Sequence, residues 1–420
     1  MKLTHLRLSQ FRNFAMQEVS LRPRLNFFLG ANGQGKTNLL EAVYMLSRGE
    51  SFRSGQHEHF LKDQAPRARV AAVVDSEIGR SNLVMDFAEG RTAATYDGKR
   101  TGFSTLSAQI PVVLFSPESL ASIKEGPDQR RELIDSVLAT RSERDSKLLR
   151  EFAKILRSRN ILLKQIAKGD SRQSTRDSLE SLTTVFLLLA TQVTETRLRI
   201  LEQLEPEWKK SVAQIFVTDR KPSAMSEKQA DANLLAKNQL ANVHFRYEIS
   251  GNDAMGWSAD QIFDAFSKRL EQLGPRELQL GASLVGPHKH DLRFFFDQND
   301  SRFYCSQGQQ RALILAFKIA QISVHHTTLG RYPILLLDDV MSELDAAKRS
   351  RLMEYLEETT AQVLITATDL IWSREFREER NAVFAVENGN VTVATQSAIR
   401  AVGLGDFSKS PADPLEDAAT

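Results

Sequence analysis

Two glycine-containing stretches, far apart in the chain, carry the residue types that hold a phosphate group. The first matches the phosphate-loop pattern G-x-x-x-x-G-K-[ST] and consists of Gly30, Ala31, Asn32, Gly33, Gln34, Gly35, Lys36 and Thr37. Glycines let backbone N–H groups converge on a phosphate, and the helix that follows directs the positive end of its dipole at the same anion. We predict that Lys36 bridges the terminal phosphates of a nucleotide and that the Thr37 hydroxyl ligates Mg²⁺. The alternative is a glycine-rich turn that merely precedes a helix.

The sequence YPILLLDD places two carboxylates at the end of an apolar run. Apolar residues from Ile334 to Leu337 are followed by Asp338 and Asp339, a pattern typical of a parallel strand that is buried on both faces. Ligands of α/β sheets bind at the carboxyl ends of such strands. We therefore expect Asp338 to hold the metal ion and Asp339 to act as general base on the attacking water; with Lys36 they are the predicted catalytic residues. The alternative is that the two aspartates cap the next helix.

The second glycine-containing stretch, SQGQQRALILAF, offers donors for a γ-phosphate. The hydroxyl of Ser306, the backbone N–H of Gly308 and the start of the helix around Gln309 present hydrogen-bond donors and a positive dipole end. This stretch resembles the signature with which one subunit of a head-to-head P-loop ATPase covers the nucleotide held by the other subunit. We therefore expect ATP and Mg²⁺ as cofactors, an ATP-dependent homodimer, and Ser306, Gly308 and Gln309 on the nucleotide of the partner.

Predicted strands and helices place both stretches in an interrupted α/β domain. Strands in HLRLSQFRNF and LRPRLNFFLG precede the phosphate loop, a helix of about three turns follows it, and β-rich segments continue to IPVVLFSPE. After about Gly126, two helices with heptad spacing predict an antiparallel arm, in which Arg159 occupies a seam position. The alternative is a helical subdomain packed on the core. Residues 218–260 are polar and poorly periodic, which predicts a long loop before VHFRYEI resumes a strand.

The order of the motifs predicts the fold class and the division of the chain. The motifs occur in the order phosphate loop, helical insertion, signature, carboxylate strand and SELD, which is the order in an ABC-type P-loop ATPase head. The predicted fold class is therefore an α/β fold with an inserted helical arm that resembles an antiparallel coiled coil. The predicted parts are the N-terminal half of the head (1–125), the helical arm with a connecting loop (126–280), the C-terminal half of the head (281–396) and a tail expected to be disordered (397–420).

Composition argues against a membrane-spanning chain. The sequence is 41% hydrophobic and 26% charged, and no apolar run approaches the roughly 18 residues that cross a bilayer. The only cysteine, Cys305, and an N-terminal stretch without the apolar block of a secretory signal favour the reducing cytoplasm. The net charge of +2 does not by itself indicate a nucleic-acid partner.

One segment is much more basic than the chain as a whole. Residues 147–168 contain seven basic side chains and one acidic one, which suits sequence-independent contact with DNA phosphates. The predicted DNA contacts are Lys147, Arg150, Lys154, Arg157, Arg159 and Lys164, together with Lys168. The alternative is a solvated helix face. The histidine pairs around Glu58 and Lys289 are interpreted as loop and surface residues and not as metal ligands.

Several stretches together resemble one family, over nearly the whole chain up to about residue 395. They are FRNF, VVLFSPESL, GPDQRRELID, SRNILLK, LVGPHKHDL, SQGQQRALILAFKIA and LLLDDVMSELD, and they resemble the RecF family of bacterial recombination mediators. The resemblance implies ATP-dependent dimerisation, slow ATP hydrolysis used as a switch, and binding to duplex and gapped DNA. It also implies cooperation with RecO and RecR in loading recombinase, and a place in the cytoplasm at the nucleoid.

The sequence departs from the usual ABC pattern in ways that predict weak turnover. Asp339 stands where ABC ATPases usually have Glu, and Thr368 stands in the place of their switch histidine. No glutamine occurs near FSPES, so Ser116 and Glu118 stay open as substitutes for the metal-linked glutamine. Two rival interpretations are a transporter ATPase subunit, which usually has the switch histidine and lacks this arm, and an SMC-like clasp, which has a far longer coiled coil.

Overall fold

The computed structural model describes residues 1–53, 60–77, 79–88, 90–216, 242–368 and 380–394. The chain forms two compact units: Met1–Thr101, Ile334–Ser342 and the described part of Thr360–Thr420 make the first, and Gly102–Pro333 with Glu343–Thr359 make the second. The predicted tail at 397–420 and residues 218–241 of the predicted loop lie outside the described residues. The predicted division at residues 125, 280 and 396 stays a prediction.

Two sheets form the first unit. The antiparallel sheet has the order β2-β1-β4-β5-β6-β7, and its strands are β1 (Lys2–Phe11), β2 (Phe14–Ser20), β4 (Arg67–Ser76), β5 (Gly79–Ala88), β6 (Arg91–Tyr96) and β7 (Lys99–Thr101). The other sheet runs β16-β15-β3-β14-β13 within this unit, and its strands are β3 (Leu25–Leu29), β13 (Ile334–Asp338), β14 (Val363–Ala367), β15 (Ala382–Glu387) and β16 (Asn390–Val393). All neighbours in the second sheet are parallel except β15 and β16.

The parallel strands align the ends that carry polar residues. Strands β3, β13 and β14 are buried at every position, which explains their nearly continuous apolar sequences. In the register of the sheet, Asp338 lies opposite Thr366, and Thr366 lies opposite Phe28. The chain leaves β3 through the glycine loop and enters helix α1 (Lys36–Arg48). The carboxyl edge of this sheet therefore brings the loop and the carboxylate strand together.

The second unit is mainly helical. Its helices are α2 (Phe103–Gln109), α3 (Pro117–Leu120), α4 (Pro127–Arg141), α5 (Glu143–Ala167), α6 (Gln173–Phe216), α7 (Ala259–Leu280), α8 (Ser301–Tyr304), α9 (Gln307–Leu329) and α10 (Ala346–Glu358). It also contains β8 (Val112–Phe115) and a small antiparallel sheet of order β10-β9-β11-β12, formed by β9 (His244–Ile249), β10 (Asn252–Asp253), β11 (Asp291–Phe296) and β12 (Asn299–Asp300).

Helices α5 and α6 form the predicted antiparallel pair, and a third helix packs with them. The rings of Phe152 and Phe186 lie 5.7 Å apart across the pair. Helix α7 is absent from the sequence predictions, which place a loop up to residue 260 and only a connecting segment up to residue 280. Ser258 starts α7 with a capping box, and the helix continues through Pro275. The Gly274-Pro275 pair has the composition of a helix breaker, which concealed this helix in the sequence.

None of the helices within the described ranges combines the length and the apolar character needed to cross a membrane.

Candidate nucleotide-binding site

The glycine loop has the backbone geometry of an anion cradle. Gly33 and Gly35 adopt left-handed φ angles of 82° and 111°, which glycine tolerates without strain. A Cβ on Gly30 would lie 2.3 Å from the carbonyl oxygen of Val386 on β15, so the close approach of these strands requires glycine there. Helix α1 begins without a side-chain cap and without an acidic residue in its first turn. Its first N–H groups therefore have no side-chain partner that competes with a phosphate.

Lys36 lies inside the loop. Its side chain is only 7% exposed, and its ammonium group donates hydrogen bonds to the carbonyl oxygens of Gly30 (2.7 Å) and Ala31 (2.8 Å). Burial lowers the pKa of the Lys36 ammonium, while the carboxylates of Asp339 and Asp338 act in the opposite direction. The loop thus holds a partly desolvated cation, which attracts an anion more strongly than a solvated one. The exposed part of the phosphate loop consists of Ala31, Asn32 and Gly33.

A hydrogen bond links the loop to the carboxylate strand. The Thr37 hydroxyl donates to Asp338 Oδ1 at 2.9 Å, across 301 positions of sequence. The hydroxyl of Thr366, a fully buried residue on β14, donates to the same oxygen at 2.8 Å and accepts the backbone N–H of Asp339 at 2.9 Å. The sequence analysis missed Thr366, although a polar residue near the end of the buried strand VLITA was an available signal.

Asp339 has an unusual backbone and an available carboxylate. Its φ angle of 50° lies in the left-handed region, and the bond from its N–H to Thr366 stabilises this conformation. The side chain is half-buried, and no residue in the described ranges donates a hydrogen bond to its carboxylate. Glu343, the next acid along the chain, forms an ion pair with Arg311 at 2.5 Å. Asp339 is therefore the better placed of the two to accept a proton.

The donor set of this site fits Mg²⁺ bound together with a nucleotide. The Thr37 hydroxyl and the Asp338 carboxylate supply two oxygen ligands, and Mg²⁺ is usually held by one or two protein oxygens plus phosphate and water. Within the described ranges, no group of three or more His, Cys, Asp or Glu residues is placed to hold a metal ion by itself. The site therefore lacks the all-protein cage that a tightly bound structural metal uses.

Two partners outside the loop fix its conformation, and neither was predicted. The Asn13 side chain donates to the carbonyl oxygen of Gln34 at 2.9 Å. The turn between β15 and β16 adds bonds from the N–H of Asn388 to Gln34 Oε1 (2.7 Å) and from the N–H of Gly389 to the Gln34 carbonyl (3.1 Å). Segments separated by more than 350 positions therefore position the same loop residue.

The signature residues lie in the second unit, at the start of the 23-residue helix α9. Ser306 is the N-cap: its hydroxyl accepts the N–H of Gln309 at 3.3 Å, and Gln309 Oε1 accepts the N–H of Ser306 at 2.8 Å. Ser306 and Gly308 are exposed. A Cβ on Gly308 would lie 3.6 Å from the ammonium nitrogen of Lys348, which forms an ion pair with Asp345 at 2.6 Å. The signature is thus an accessible helix N-terminus.

Ser116 and Glu118 differ in their availability. Ser116 is buried and caps α3 through a reciprocal hydrogen-bond pair with Ser119. Its hydroxyl is therefore already engaged in holding the helix, whereas Glu118 is exposed. Thr368, in the place of the switch histidine, lies one residue beyond β14 and is half-buried.

The basic residues of segment 147–168 divide into an exposed face and one buried exception. Successive helical residues are rotated by about 100°, so the exposed basic residues of this segment fall within one sector of about 100°. These exposed residues are Lys147, Arg150, Lys154, Arg157, Lys164 and Lys168, named here the α5 basic face. Arg159 lies on the opposite side, is 3% exposed and pairs with Glu277 of α7 at 2.6 Å. The prediction that Arg159 contacts DNA is therefore wrong, because its charge is buried in the arm.

The stretches GPDQRRELID and LVGPHKHDL meet in a buried polar network of the second unit. Arg130 forms an ion pair with Asp291 at 2.7 Å, and Arg131 donates to the carbonyl oxygen of His290 at 2.5 Å. His290 is buried and His288 is half-buried, and burial lowers the pKa of His288 to about 4. The interpretation as a surface histidine is therefore wrong for His290; His57 and His59 lie outside the described residues.

Comparisons with known proteins agree with this architecture. The family model "RecF/RecN/SMC N terminal domain" matches residues 2–392. The DNA replication and repair protein RecF of Lacticaseibacillus paracasei is 30% identical over 395 residues, which cover 94% of this chain and 100% of the relative. RecF of Heliobacterium modesticaldum is 32% identical over 396 residues, which cover 93% of this chain and 99% of the relative.

A solved structure extends the agreement from sequence to fold. The "Structure of the recombination mediator protein RecF-ATP in RecFOR pathway" superposes with a TM-score of 0.78 at 26% identity, covering 94% of this chain and 98% of that chain. The predicted fold class, an ABC-type P-loop ATPase head with an inserted helical arm, is confirmed. From its motifs, its fold and its relatives over nearly the full length, this chain belongs to the RecF family.

Proposed function

We propose that this protein is an ATP-dependent, DNA-binding recombination mediator that dimerises on ATP and uses slow hydrolysis as a switch. The observation that carries the proposal is the hydrogen bond from Thr37 to Asp338, which joins the phosphate loop to the carboxylate strand. Relatives named DNA replication and repair protein RecF, and a neighbour described with ATP, support the nucleotide and the DNA part of the proposal.

ATP binding rests on the residues of the first unit. Backbone N–H groups of the loop and of the first turn of α1 would hold the phosphates, and Lys36 would bridge the terminal ones. Mg²⁺, held by Thr37 and Asp338, supplies positive charge to the phosphate oxygens when it is bound. Asp339 would accept a proton from the attacking water. Its carboxylate is one methylene shorter than glutamate, and Thr368 has no imidazole, so slow turnover is expected.

Dimerisation rests on the signature in the second unit. Ser306 and Gly308 are exposed at a helix start, whose positive dipole end suits an anion brought by another molecule. We infer that this anion is the γ-phosphate of ATP held by a second copy. ATP would then join two chains, and hydrolysis would release them.

DNA binding rests on the α5 basic face. Six exposed cations along one side of a 25-residue helix suit contacts to the phosphates of duplex and gapped DNA, without base recognition. The proposal places the protein in the cytoplasm, at the nucleoid. RecO and RecR enter as partners because the family resemblance implies them and the structural neighbour is described as part of the RecFOR pathway.

The nucleotide and dimer parts are tested by sedimentation velocity with and without ATP and Mg²⁺, in the presence of gapped duplex DNA. The wild-type chain is expected to dimerise only with ATP, and the DNA is expected to strengthen the dimer. Lys36→Ala should stay monomeric because the loop loses its phosphate-bridging charge, while its melting temperature stays near that of the wild type. A Lys36→Ala chain that dimerises with ATP as the wild type does would contradict the proposal.

The DNA part is tested by the salt dependence of binding. Lys154→Gln combined with Arg157→Gln removes two cations from the α5 basic face, and the slope of log K against log [salt] should decrease by about 1.8. Lys99→Gln combined with Arg100→Gln removes the same charge from exposed positions of the other unit and is the matched control. Equal slopes for the two double variants would show that the α5 basic face does not contact DNA.

A further inference from the structure

The most exposed large apolar side chains in the described ranges are two consecutive aromatic residues beside the signature. Phe303 is 76% exposed and Tyr304 is 72% exposed, ahead of every other large apolar side chain that the structure describes. Both belong to the short helix α8, which ends two residues before Ser306. Single exposed apolar residues are common, but an adjacent aromatic pair is typical of a surface that another molecule covers.

The segment that carries the pair is held firmly. The carboxylate of Asp300 caps α8 by accepting the N–H of Arg302 at 3.0 Å. The Ser301 hydroxyl donates to the carbonyl oxygen of Phe294 at 2.5 Å. Gln310, on the first turn of α9, donates its amide to the carbonyl oxygen of Ser301 at 2.9 Å. The aromatic pair and the signature are therefore parts of one hydrogen-bonded block, and the exposure of the rings does not come from a loose loop.

The distance along the chain places the pair within any interface that uses the signature. Two residues span at most about 7 Å, so Tyr304 lies within that distance of Ser306. A stable interface covers about 800 Å² on each partner, which corresponds to a disc of about 16 Å radius. An interface of this size centred on Ser306 extends past the Cα atoms of Phe303 and Tyr304, whose exposed rings are available to the same partner. Aromatic residues are enriched in the central, desolvated part of interfaces.

We propose that Phe303 and Tyr304 form an apolar anchor that packs against a second copy of this chain in the ATP-bound dimer. This inference rests on the proposed function, because ATP is what brings the second copy onto the signature. The helix start attracts the phosphate, whereas the two rings contribute burial that does not depend on charge. Since the dimer is symmetric, the contact occurs twice, once for the aromatic pair of each chain. The anchor would let a weakly hydrolysing chain form a dimer that survives at physiological salt.

The test compares a polar double variant with a conservative one. Phe303→Ser with Tyr304→Ser should weaken the ATP-dependent dimer by at least about 30-fold, the effect of losing one central interface side chain. Phe303→Leu with Tyr304→Phe keeps the apolar surface and should dimerise nearly as the wild type does. Leu280→Ser, at an exposed position of α7, is the matched control. Binding of a fluorescent ATP analogue to the monomer should be the same for all four chains, because the pair lies outside the phosphate loop.

The outcomes separate this inference from the proposed function. If the wild type dimerises with ATP and the serine double variant dimerises equally well, the anchor is refuted while the ATP-driven dimer stands. If the double variant dimerises normally but loses affinity for single-stranded or gapped DNA, the rings contact nucleic acid and the anchor is also refuted. If the wild type itself forms no dimer with ATP, the proposed function fails and the anchor fails with it.

Discussion

Replacing Thr366 by valine is expected to disturb the carboxylate pair without changing the shape of the strand. The Thr366 hydroxyl donates to Asp338 at 2.8 Å and accepts the N–H of Asp339 at 2.9 Å, and it is fully buried. Valine removes a bond to a charged group, worth about 2 kcal/mol, and leaves the Asp339 N–H without its partner, at a cost of about 1 kcal/mol. We expect a loss of about 3 kcal/mol in the stability of the first unit.

Thr366→Val should slow ATP hydrolysis more than it weakens nucleotide binding. Asp338 keeps its bond from Thr37, but Asp339 loses the contact that stabilises its left-handed backbone, so its carboxylate no longer holds one orientation. We expect single-turnover hydrolysis of ATP to slow by at least about tenfold, equivalent to about 1.4 kcal/mol of activation free energy.

Thr366→Ser is the matched control for this change. It keeps the hydroxyl and loses one buried methyl group, which costs about 1 kcal/mol, so it should lower stability slightly and leave hydrolysis near the wild-type rate. Urea unfolding and single-turnover hydrolysis measure the two effects. If valine and serine variants hydrolyse ATP equally fast, the hydroxyl does not position the carboxylates and the reasoning is refuted.

Three further changes test other parts of the account. Asp339→Asn should keep ATP bound and lengthen the life of the dimer, because an amide cannot accept a proton; a wild-type hydrolysis rate in this variant would assign the base elsewhere. His288 has its pKa lowered from 6.5 to about 4, so the unfolded chain binds more protons between these pH values and stability falls by up to about 3 kcal/mol as the pH decreases through this window. His288→Gln should reduce that dependence in urea unfolding at pH 7, 6 and 5, while His290 and His325, whose pKa values burial also lowers, keep part of it; an unchanged slope would exclude His288 as a contributor. Arg159→Met should lower the melting temperature strongly because Glu277 is left as a buried charge, at about 3–5 kcal/mol, whereas affinity for DNA at low temperature should stay near that of the wild type.

The parts of the site that sequence could predict are those encoded by short contiguous patterns. The glycine loop between a strand and a helix, and the carboxylate at the end of an apolar strand, each follow from local rules of geometry. Because ligands gather at the carboxyl edge of a parallel sheet, even the meeting of Thr37 with Asp338 followed from the predicted fold class.

The parts of the site that could not be predicted from the sequence depend on tertiary contacts of single side chains. Asn13 and Thr366 position the loop and the carboxylates through hydrogen bonds to residues far along the chain, and no local pattern identifies such partners. Two features of Arg159 gave opposite predictions: its charge indicated contact with DNA, whereas its position in the helix seam indicated burial. The ion pair with the buried Glu277 shows that Arg159 is buried. That partner lies on α7, the helix concealed by Gly274 and Pro275.

The most direct test of the central claim is a mixing experiment with two variants that are inactive for different reasons. Ser306→Arg blocks the signature and Lys36→Ala disables the phosphate loop, so neither chain alone should form an ATP-dependent dimer. Ser306 also caps α9, and a melting curve must first show that the arginine variant is folded. A mixed dimer contains one intact pairing, Lys36 of one chain facing Ser306 of the other. We predict that the mixture recovers part of the ATP-dependent dimer and of the DNA-stimulated hydrolysis; a mixture as inactive as each variant alone would contradict a nucleotide site shared between two chains.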